Sequence, residues 1–428
     1  MRKIMALDSK VVFGFTIFFL VLFLIDLYVF RGVKTIFSTS SFPVKRTATW
    51  LYWVVNLAFI ACVIYTISTV SFSARHTSFI VQFVAAAFVL LYVPKLIFSL
   101  FLLGEDVYRL LRAMGVGVYK FASKTDSPIE FFESRRRFIS QFATVVAGIP
   151  FVSIIYGVIK GKYNFKIHRV EVAFENLPKE FDGFKITQIS DIHSGSFDNP
   201  EPVKHAVNLV NQQGSDVIFF TGDLVNNISD EMDPWVDVFK VLKAPMGVYS
   251  IFGNHDYGDY ARWYNEEQKK ANLQKLVDIH GRLGFHLMRN ENLKLQRNGE
   301  YIDLIGVENW GKGGFSKYGD LDKALVGTNP DSFKILLSHD PSHWEEKVMN
   351  VTDKHIPLTF AGHTHGMQFG IEVPGIKFSP IQFRYKRWGG LYEENNRYLY
   401  VNRGLGFIGF PGRVGIWPEI TVFTLRCS

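Results

Sequence analysis

Long, mostly apolar stretches dominate the first 160 residues of the chain. Four of them each cover about 20 residues or more: Val11–Phe30, Thr49–Val70, Phe79–Leu103 and Phe138–Ile159. A helix of that length crosses the ~30 Å hydrocarbon core of a membrane. Four such helices without an amphipathic period are difficult to bury in a water-soluble core. The pattern therefore predicts a transmembrane region of about four helices over residues 1–160.

The pattern changes at about Tyr163, where short apolar runs are separated by glycine, asparagine and aspartate. Short runs rich in β-branched and aromatic side chains are typical of buried strands, and here they occupy 168–174, 184–190, 216–221, 248–252, 333–338 and 357–361. Longer segments between them indicate helices at 200–213, 231–243, 265–283 and 341–349. Because alternating strands and helices form layered domains, residues 161–428 are predicted to form an α/β domain.

Composition and charge narrow the class of protein. Hydrophobic residues make up 48% of the 428-residue chain, and its two cysteines are Cys62 and Cys427. Disordered chains and disulfide frameworks are thereby excluded. Residues 1–160 hold 17 basic against 7 acidic residues, whereas the remainder holds 30 against 33. Since the positive charge belongs to the membrane region, nucleic acid is not expected as the main partner.

The distribution of basic residues predicts how the chain is oriented in the membrane. Residues 31–48 and 104–137 together contain eleven lysines and arginines, whereas the N-terminus and the second loop contain four. Cytoplasmic loops carry the excess of positive charge, so both basic segments are expected in the cytoplasm. With four spans, the domain at 161–428 is then expected on the opposite side.

Two features of the membrane region leave alternatives open. Ser134–Ile139 contains three consecutive arginines before an apolar segment and resembles a twin-arginine export signal. An ordinary basic membrane anchor has the same pattern. Pro94 and Lys95 interrupt the third apolar stretch, and for them a local packing adjustment is favoured over a functional polar site.

Polar residues follow five of the predicted strands at the point where each strand ends. They are Asp191 and His193, Gly222-Asp223, Gly253-Asn254-His255-Asp256, His339, and Gly362-His363-Thr364-His365. Ligands of open α/β sheets bind at the carboxyl ends of the strands, so these side chains are expected to converge. Imidazole and carboxylate ligands together suit Zn, Fe or Mn. The sequence therefore predicts a metal site at this edge.

These motifs, in this order, resemble those of the calcineurin-like metallophosphoesterase family over roughly residues 165–428. The resemblance implies a two-sheet β-sandwich flanked by helices and a centre of two divalent or trivalent metal ions. A carboxylate can span two cations ~3.5–4 Å apart, and neutral imidazoles add no charge that repels phosphate. The implied ligands are Asp191, His193 and His365 for one ion, Asn254, His339 and His363 for the second, and Asp223 as the bridge.

The same resemblance implies a mechanism. A hydroxide held between the metals attacks phosphorus in line, and His255 donates a proton to the leaving oxygen. Some relatives carry aspartate at the position of Asn226, so a proton relay through Asn226 is in doubt, while a role in orienting His255 remains. Arg403 is either a phosphate clamp or a packed structural arginine. A basic-aromatic cluster, which either meets lipid headgroups or forms a solvated face, comprises Arg384, Lys386, Arg387 and Trp388.

The sequence thus predicts a membrane-anchored phosphoesterase of the bacterial inner membrane, with its catalytic domain on the non-cytoplasmic side. The expected partners are the membrane and a phosphorylated small molecule or lipid as substrate. One alternative is a pyrophosphatase similar to the enzymes that cleave UDP-2,3-diacylglucosamine, although the predicted topology opposes a cytoplasmic substrate. The other is a sensor whose metal domain only binds ligand, against which the complete ligand set argues.

Overall fold

The computed structural model describes residues 9–69, 79–123, 133–350 and 355–428. These residues divide into two compact units, and the last change of unit along the chain falls between Ile155 and Tyr156. The first unit holds long apolar helices, and the second holds two β-sheets with their flanking helices.

Within the described residues, four helices are long and apolar enough to cross a membrane. They are α1 (Ser9–Ile36), α2 (Phe42–Thr69), α3 (Phe79–Ser123) and α4 (Glu133–Ile159). Large apolar side chains such as Phe13, Leu57 and Leu100 are exposed on their surfaces, as expected of helices surrounded by lipid. The predicted region of four apolar helices is confirmed, with Val70 lying outside the described residues.

The interval 104–137, predicted as a loop, is occupied largely by the last turns of α3 and the first turn of α4. Ion pairs connect these two extensions. Arg135 Nη2 lies 2.6 Å from Oε2 of the buried Glu105, and Arg136 Nη2 lies 3.7 Å from Asp106 Oδ1. The ends of these helices are charged and are stabilised by ion pairs, which a pattern of apolar residues does not reveal. The apolar stretch therefore ends before the helix does.

Lys95 ties three helices of the first unit together. Its Nζ lies 2.7 Å from Asp26 Oδ1 on α1 and also donates to Asn56 Oδ1 on α2. Tyr92 OH donates to Asp26 Oδ2 at 3.1 Å. A charged residue inside an apolar bundle needs such a partner, so the packing interpretation of Lys95 agrees with its contacts.

The second unit contains fourteen strands and five helices within the described residues. The strands are β1 (Lys166–Phe174), β2 (Lys185–Ile189), β3 (Val217–Phe220), β4 (Val248–Ser250), β5 (Phe285–Leu287), β6 (Glu291–Arg297), β7 (Glu300–Gly306), β8 (Lys334–Leu337), β9 (Leu358–Ala361), β10 (Ile371–Val373), β11 (Ile376–Phe378), β12 (Gly390–Glu394), β13 (Arg397–Val401) and β14 (Glu419–Cys427). The helices are α5 (Pro200–Asn211), α6 (Val236–Phe239), α7 (Glu266–Arg282), α8 (Leu321–Ala324) and α9 (Pro341–Lys347).

Two six-stranded sheets face each other across a shared core. The first has the order β1-β14-β2-β3-β4-β5 and the second the order β12-β13-β9-β8-β7-β6. Successive side chains of β3 point to opposite faces of the first sheet. Val217 and Phe219 lie in the core between the two sheets. Ile218 and Phe220 instead pack with α5, α6 and α7 on the outer face, and α8 and α9 cover the outer face of the second sheet. The predicted two-sheet sandwich flanked by helices is confirmed.

The segment 231–243 differs from its prediction as a single helix. A 3₁₀ helix occupies Ser229–Trp235, and only the short α6 follows it. Pro234 lies inside the 3₁₀ turn; a proline lacks the backbone N–H that a continuous α-helix requires. Pro234 therefore accounts for a 3₁₀ helix and a short α-helix in place of one continuous helix.

Candidate metal centre

The predicted ligands lie directly after five strands of the two sheets. The strands β2, β3 and β4 are neighbours and run parallel, as do β8 and β9. Their carboxyl ends therefore meet at one edge of the sandwich. The ligands that follow them are Asp191 and His193 after β2, Asp223 after β3, Asn254 after β4, His339 after β8, and His363 and His365 after β9.

Six of these side chains form two groups in which the ligand atoms lie within 4.8 Å of one another. The groups are Asp191, His193 and His365, and Asp223, His339 and His363. The seventh, Asn254, joins the second group through its Oδ1, which lies 2.8 Å from His363 Nδ1.

Asp223 lies between the two groups. Its Oδ2 is 3.1 Å from His339 Nε2 in one group and 3.5 Å from His193 Nε2 in the other. A carboxylate in that position can reach a cation in either group. The structure thus brings all seven predicted residues together, and their roles as ligands stay predictions.

The backbone at these residues is strained. Five of the seven have positive φ angles: Asp191 (51°), His193 (48°), Asp223 (61°), His363 (72°) and His365 (51°). Residues other than glycine seldom adopt this conformation, and such strain clusters at functional sites. Glycines allow the strands to approach: a Cβ atom at Gly253 would collide with the Asp223 carboxylate, and one at Gly362 with the Asp191 carboxylate.

The electrostatics of the site differ among the four ligand imidazoles, and for three of them they favour the neutral form that binds a cation. Burial lowers the pKa values of His193, His363 and His365, so these rings stay neutral. Burial also acts against protonation of His339, but the Asp223 carboxylate outweighs it and raises the pKa of His339 to about 10.

The distances between the ligand atoms of the histidines and aspartates show whether a cation fits between them. His193 Nε2 and His365 Nε2 lie 3.0 Å apart, and His365 Nε2 lies 3.2 Å from Asp191 Oδ1. His339 Nδ1 is 2.7 Å from the Thr221 carbonyl, which accepts the Nδ1 proton and leaves Nε2 as the atom at which a metal would replace a proton. This concentration of electron-pair donors fits bound cations.

His255 is half-buried beside the ligands. Its ring lies 5.0 Å from the His193 ring, centroid to centroid, and its backbone N–H donates to Asp223 Oδ1 at 2.8 Å. His255 Nδ1 lies 2.6 Å from the Asn226 backbone carbonyl. The orienting contact that the structure shows therefore involves the main chain of Asn226, and any amino acid at that position offers the same carbonyl.

Arg403 is paired with carboxylates. Its Nη1 lies 2.6 Å from Glu419 Oε2, its Nη2 donates to Glu372 Oε1, and the residue is only 3% exposed. A guanidinium with two of its donors occupied in this way fits the structural alternative better than a phosphate clamp.

The structure places several further residues against the predicted ones. Asp256 accepts backbone N–H groups of Asp223 and Gly253, at 2.9 and 2.8 Å, and so fixes both ligand loops. Tyr385 OH lies 2.9 Å from His363 Nε2 and donates to Asp340 Oδ2 at 3.2 Å.

Arg413, which is fully buried, lies with its Nη2 3.0 Å from His365 Nδ1. The predicted motifs already include Asp256, although without a role, and Asp340 could have been found because it directly follows His339. Tyr385 lies within the basic-aromatic cluster, for which no role at the metal site was predicted, and Arg413 lies in a segment where the sequence offered no motif.

Two family models match the chain. Residues 10–162 match a probable calcineurin-like phosphoesterase transmembrane domain, and residues 184–367 match the calcineurin-like phosphoesterase domain. They cover the membrane helices and most of the candidate metal centre.

Individual relatives agree with the family models. The metallophosphoesterase YkuE of Bacillus subtilis is 30% identical over 69% of this chain and 98% of its own length. A bovine transmembrane protein with a metallophosphoesterase domain is 26% identical over 94% of this chain and 86% of its own. The UDP-2,3-diacylglucosamine pyrophosphatase LpxG of Chlamydia trachomatis is 28% identical over 54% of this chain and 81% of its own.

The family resemblance inferred from the motifs is thereby confirmed, and the alternative of a domain that only binds a ligand is set aside. The chain belongs to the calcineurin-like metallophosphoesterase family and is a membrane-associated, metal-dependent hydrolase of phosphoric esters.

Proposed function

We propose that the protein hydrolyses phosphoesters at a binuclear metal centre built from the seven converging side chains. The observation that carries this proposal is the position of Asp223 between two groups of ligand atoms. Asp191, His193 and His365 would hold one ion, and Asn254, His339 and His363 the other. Mn, Fe and Zn suit this set of imidazole and oxygen ligands.

The two cations would supply an activated water molecule and positive charge against the phosphate. The protein's own part is to keep the imidazoles of His193, His363 and His365 neutral by burial. It also holds the ligand loops in place, in part through the backbone hydrogen bonds of Asp256. His255, with Nδ1 held by the Asn226 carbonyl, would present Nε2 to the leaving oxygen. A proton donor fixed in this way needs no rearrangement during the reaction.

Purified protein supplied with Mn²⁺ is expected to hydrolyse at least one class among phosphomonoesters, phosphodiesters and nucleotide-sugar pyrophosphates. Product release would be measured across a panel of all three. A chelator should abolish the activity, and Mn²⁺ added in excess of the chelator should restore it. Activity that survives complete removal of metal would contradict the proposal.

Which substrate the protein can reach depends on the side of the membrane on which the catalytic domain lies. We propose the bacterial inner membrane as the location, and the excess of basic residues in 31–48 and 104–137 supports a catalytic domain on the side away from the cytoplasm. A phosphorylated small molecule or lipid on that side would be the substrate. Similarity to LpxG favours a second candidate, the cleavage of a lipid-precursor pyrophosphate, which would need the domain in the cytoplasm.

Reporter fusions in a bacterial host are expected to separate these two candidates. Alkaline phosphatase fused after Ser428 should be active, and a fluorescent protein that matures only in the cytoplasm should be dark. As a matched control, the same reporters fused after Ser40, between α1 and α2, should give the reverse pattern. Fluorescence from the fusion at Ser428 would favour the lipid-precursor candidate.

A further inference from the structure

The hairpin formed by β10 and β11 presents its apolar side outward. Ile371 pairs with Phe378 and Val373 with Ile376, and since paired residues share a face of a sheet, these four side chains form one surface. Their exposed fractions are 53%, 40%, 52% and 57%. A hairpin on a soluble domain normally turns such a face toward the core, so this arrangement is the inverse of the usual one.

The opposite face of the hairpin is fixed to the domain by polar contacts. Glu372 and Lys377 are the remaining cross-strand pair. Glu372 accepts from the buried Arg403, and Lys377 Nζ donates to the Gly389 carbonyl. These two contacts hold the hairpin to the domain through its charged side chains, and turning the apolar side inward would break both of them.

The base of the hairpin is joined to the segment that receives the end of α4. Gly370 N–H donates to the Val414 carbonyl at 2.9 Å. The adjacent Arg413 N–H donates at 3.1 Å to the carbonyl of Gly157, in the last turn of α4. All of these residues belong to the second unit. The apolar face thus starts a few residues from the point where a membrane-type helix enters the domain.

Basic side chains follow the apolar face along the chain. Phe383, which is 84% exposed, is followed by the exposed Arg384 and Lys386, and neither cation forms an ion pair with a carboxylate among the described residues. The other two members of the predicted basic-aromatic cluster are engaged, because Arg387 pairs with Glu345 and Glu394 and Trp388 is buried. Apolar side chains beside exposed cations match the interface of an anionic bilayer.

We propose that the face formed by Ile371, Val373, Ile376 and Phe378, together with Phe383, docks on the surface of the lipid bilayer in which the chain is anchored. The docking face adjoins the metal centre through two connections. Ser379 Oγ donates to the Gly366 carbonyl at 2.7 Å, next to His365. Tyr385, two residues after Phe383, contacts His363.

The docking would set the candidate metal centre beside the headgroup layer, where lipid-borne phosphoesters lie. This consequence for the substrate rests on the proposed function; the docking itself does not.

Quenching of a fluorescent label tests the docking directly. In the full chain carrying Cys62→Ser and Cys427→Ser, an environment-sensitive label would be attached at Ile376→Cys or at Phe383→Cys. The matched control is Val326→Cys, since Val326 is an apolar residue with 73% exposure outside the hairpin. Each protein would be placed in nanodiscs of phosphatidylcholine and phosphatidylglycerol, with either nitroxide-bearing lipid or aqueous iodide as quencher.

Labels at both docking positions should be quenched by the nitroxide lipid several-fold more strongly than the label at the control position, and less by iodide. Iodide quenching equal to that of the control would place the hairpin in water and overturn the proposal. Protection from both quenchers would mean that protein covers the face, which also overturns it. Thermal unfolding of each labelled protein checks that it is folded. Because none of these measurements uses activity, loss of the proposed function would leave the result unaffected.

Discussion

Replacing Asp223 with alanine is expected to remove most of the bound metal and nearly all phosphoesterase activity. One carboxylate oxygen of Asp223 lies against an imidazole nitrogen of each group, 3.1 Å from His339 Nε2 and 3.5 Å from His193 Nε2. Without it, two cations would face each other without a protein carboxylate between them. Metal content per chain would be measured by elemental analysis on protein purified with Mn²⁺, alongside the rate of hydrolysis.

The matched control for this variant is Asp237→Ala. The Asp237 side chain is 85% exposed and pairs only with Lys240 among the described residues, so metal content and rate should both stay unchanged. Thermal unfolding would show whether Asp223→Ala is folded, and Asp223→Asn, which keeps the shape of the side chain, gives a second test. A folded Asp223→Ala protein that retains two metals per chain would show that the bridging assignment is wrong.

The sequence predicted the convergence of the seven candidate ligands because the signal for it lies in the fold itself. Parallel strands place their carboxyl ends at one edge, so Asp191, Asp223 and His339 could be expected to meet although they are far apart in the chain. The core strands were recognisable for the same reason. Strands such as β3 and β8 are buried on both faces and consist almost entirely of apolar residues.

Other strands escaped prediction because their residues do not show that pattern. β6 has exposed or half-buried residues at nearly every position, and its stabilisation comes from pairing with β7 along seven residue pairs. β10 and β11 are only three residues long. The Pro374-Gly375 turn between them was the one local signal for a hairpin.

Contacts between side chains that are far apart in the sequence could not be predicted either. Arg403 could be recognised as part of a motif, but its pairing with Glu372 depends on the position of the hairpin and its pairing with Glu419 on the position of β14. Arg413 reaches His365 across 48 positions of sequence. Such contacts are set by tertiary packing, and no periodicity or spacing in the sequence reports them.

Replacing His255 with alanine is expected to separate chemistry from binding. The variant keeps the backbone N–H that donates to Asp223 Oδ1 and loses none of the seven predicted ligands, so both metals and the affinity for substrate should remain. Turnover of a substrate with a poor leaving group, such as an alkyl phosphate, should fall by ~10²–10⁴-fold, the usual contribution of a general acid. p-Nitrophenyl phosphate should lose much less, because p-nitrophenolate leaves as a stable anion.

The test of a proton-donating role is the difference between the rate losses on the two substrates. His205→Ala, which removes an exposed histidine on α5, is the matched control and should leave both rates unchanged. Equal losses on both substrates would mean that His255 positions the phosphate or supports the metals instead of donating a proton. If neither rate falls while both metals stay bound, the leaving oxygen takes its proton from another group. A general acid acts in the transition state, so its removal must slow most the substrate whose leaving group most needs a proton. If the alkyl phosphate is not slowed, the ring held by the Asn226 carbonyl has no part in the reaction.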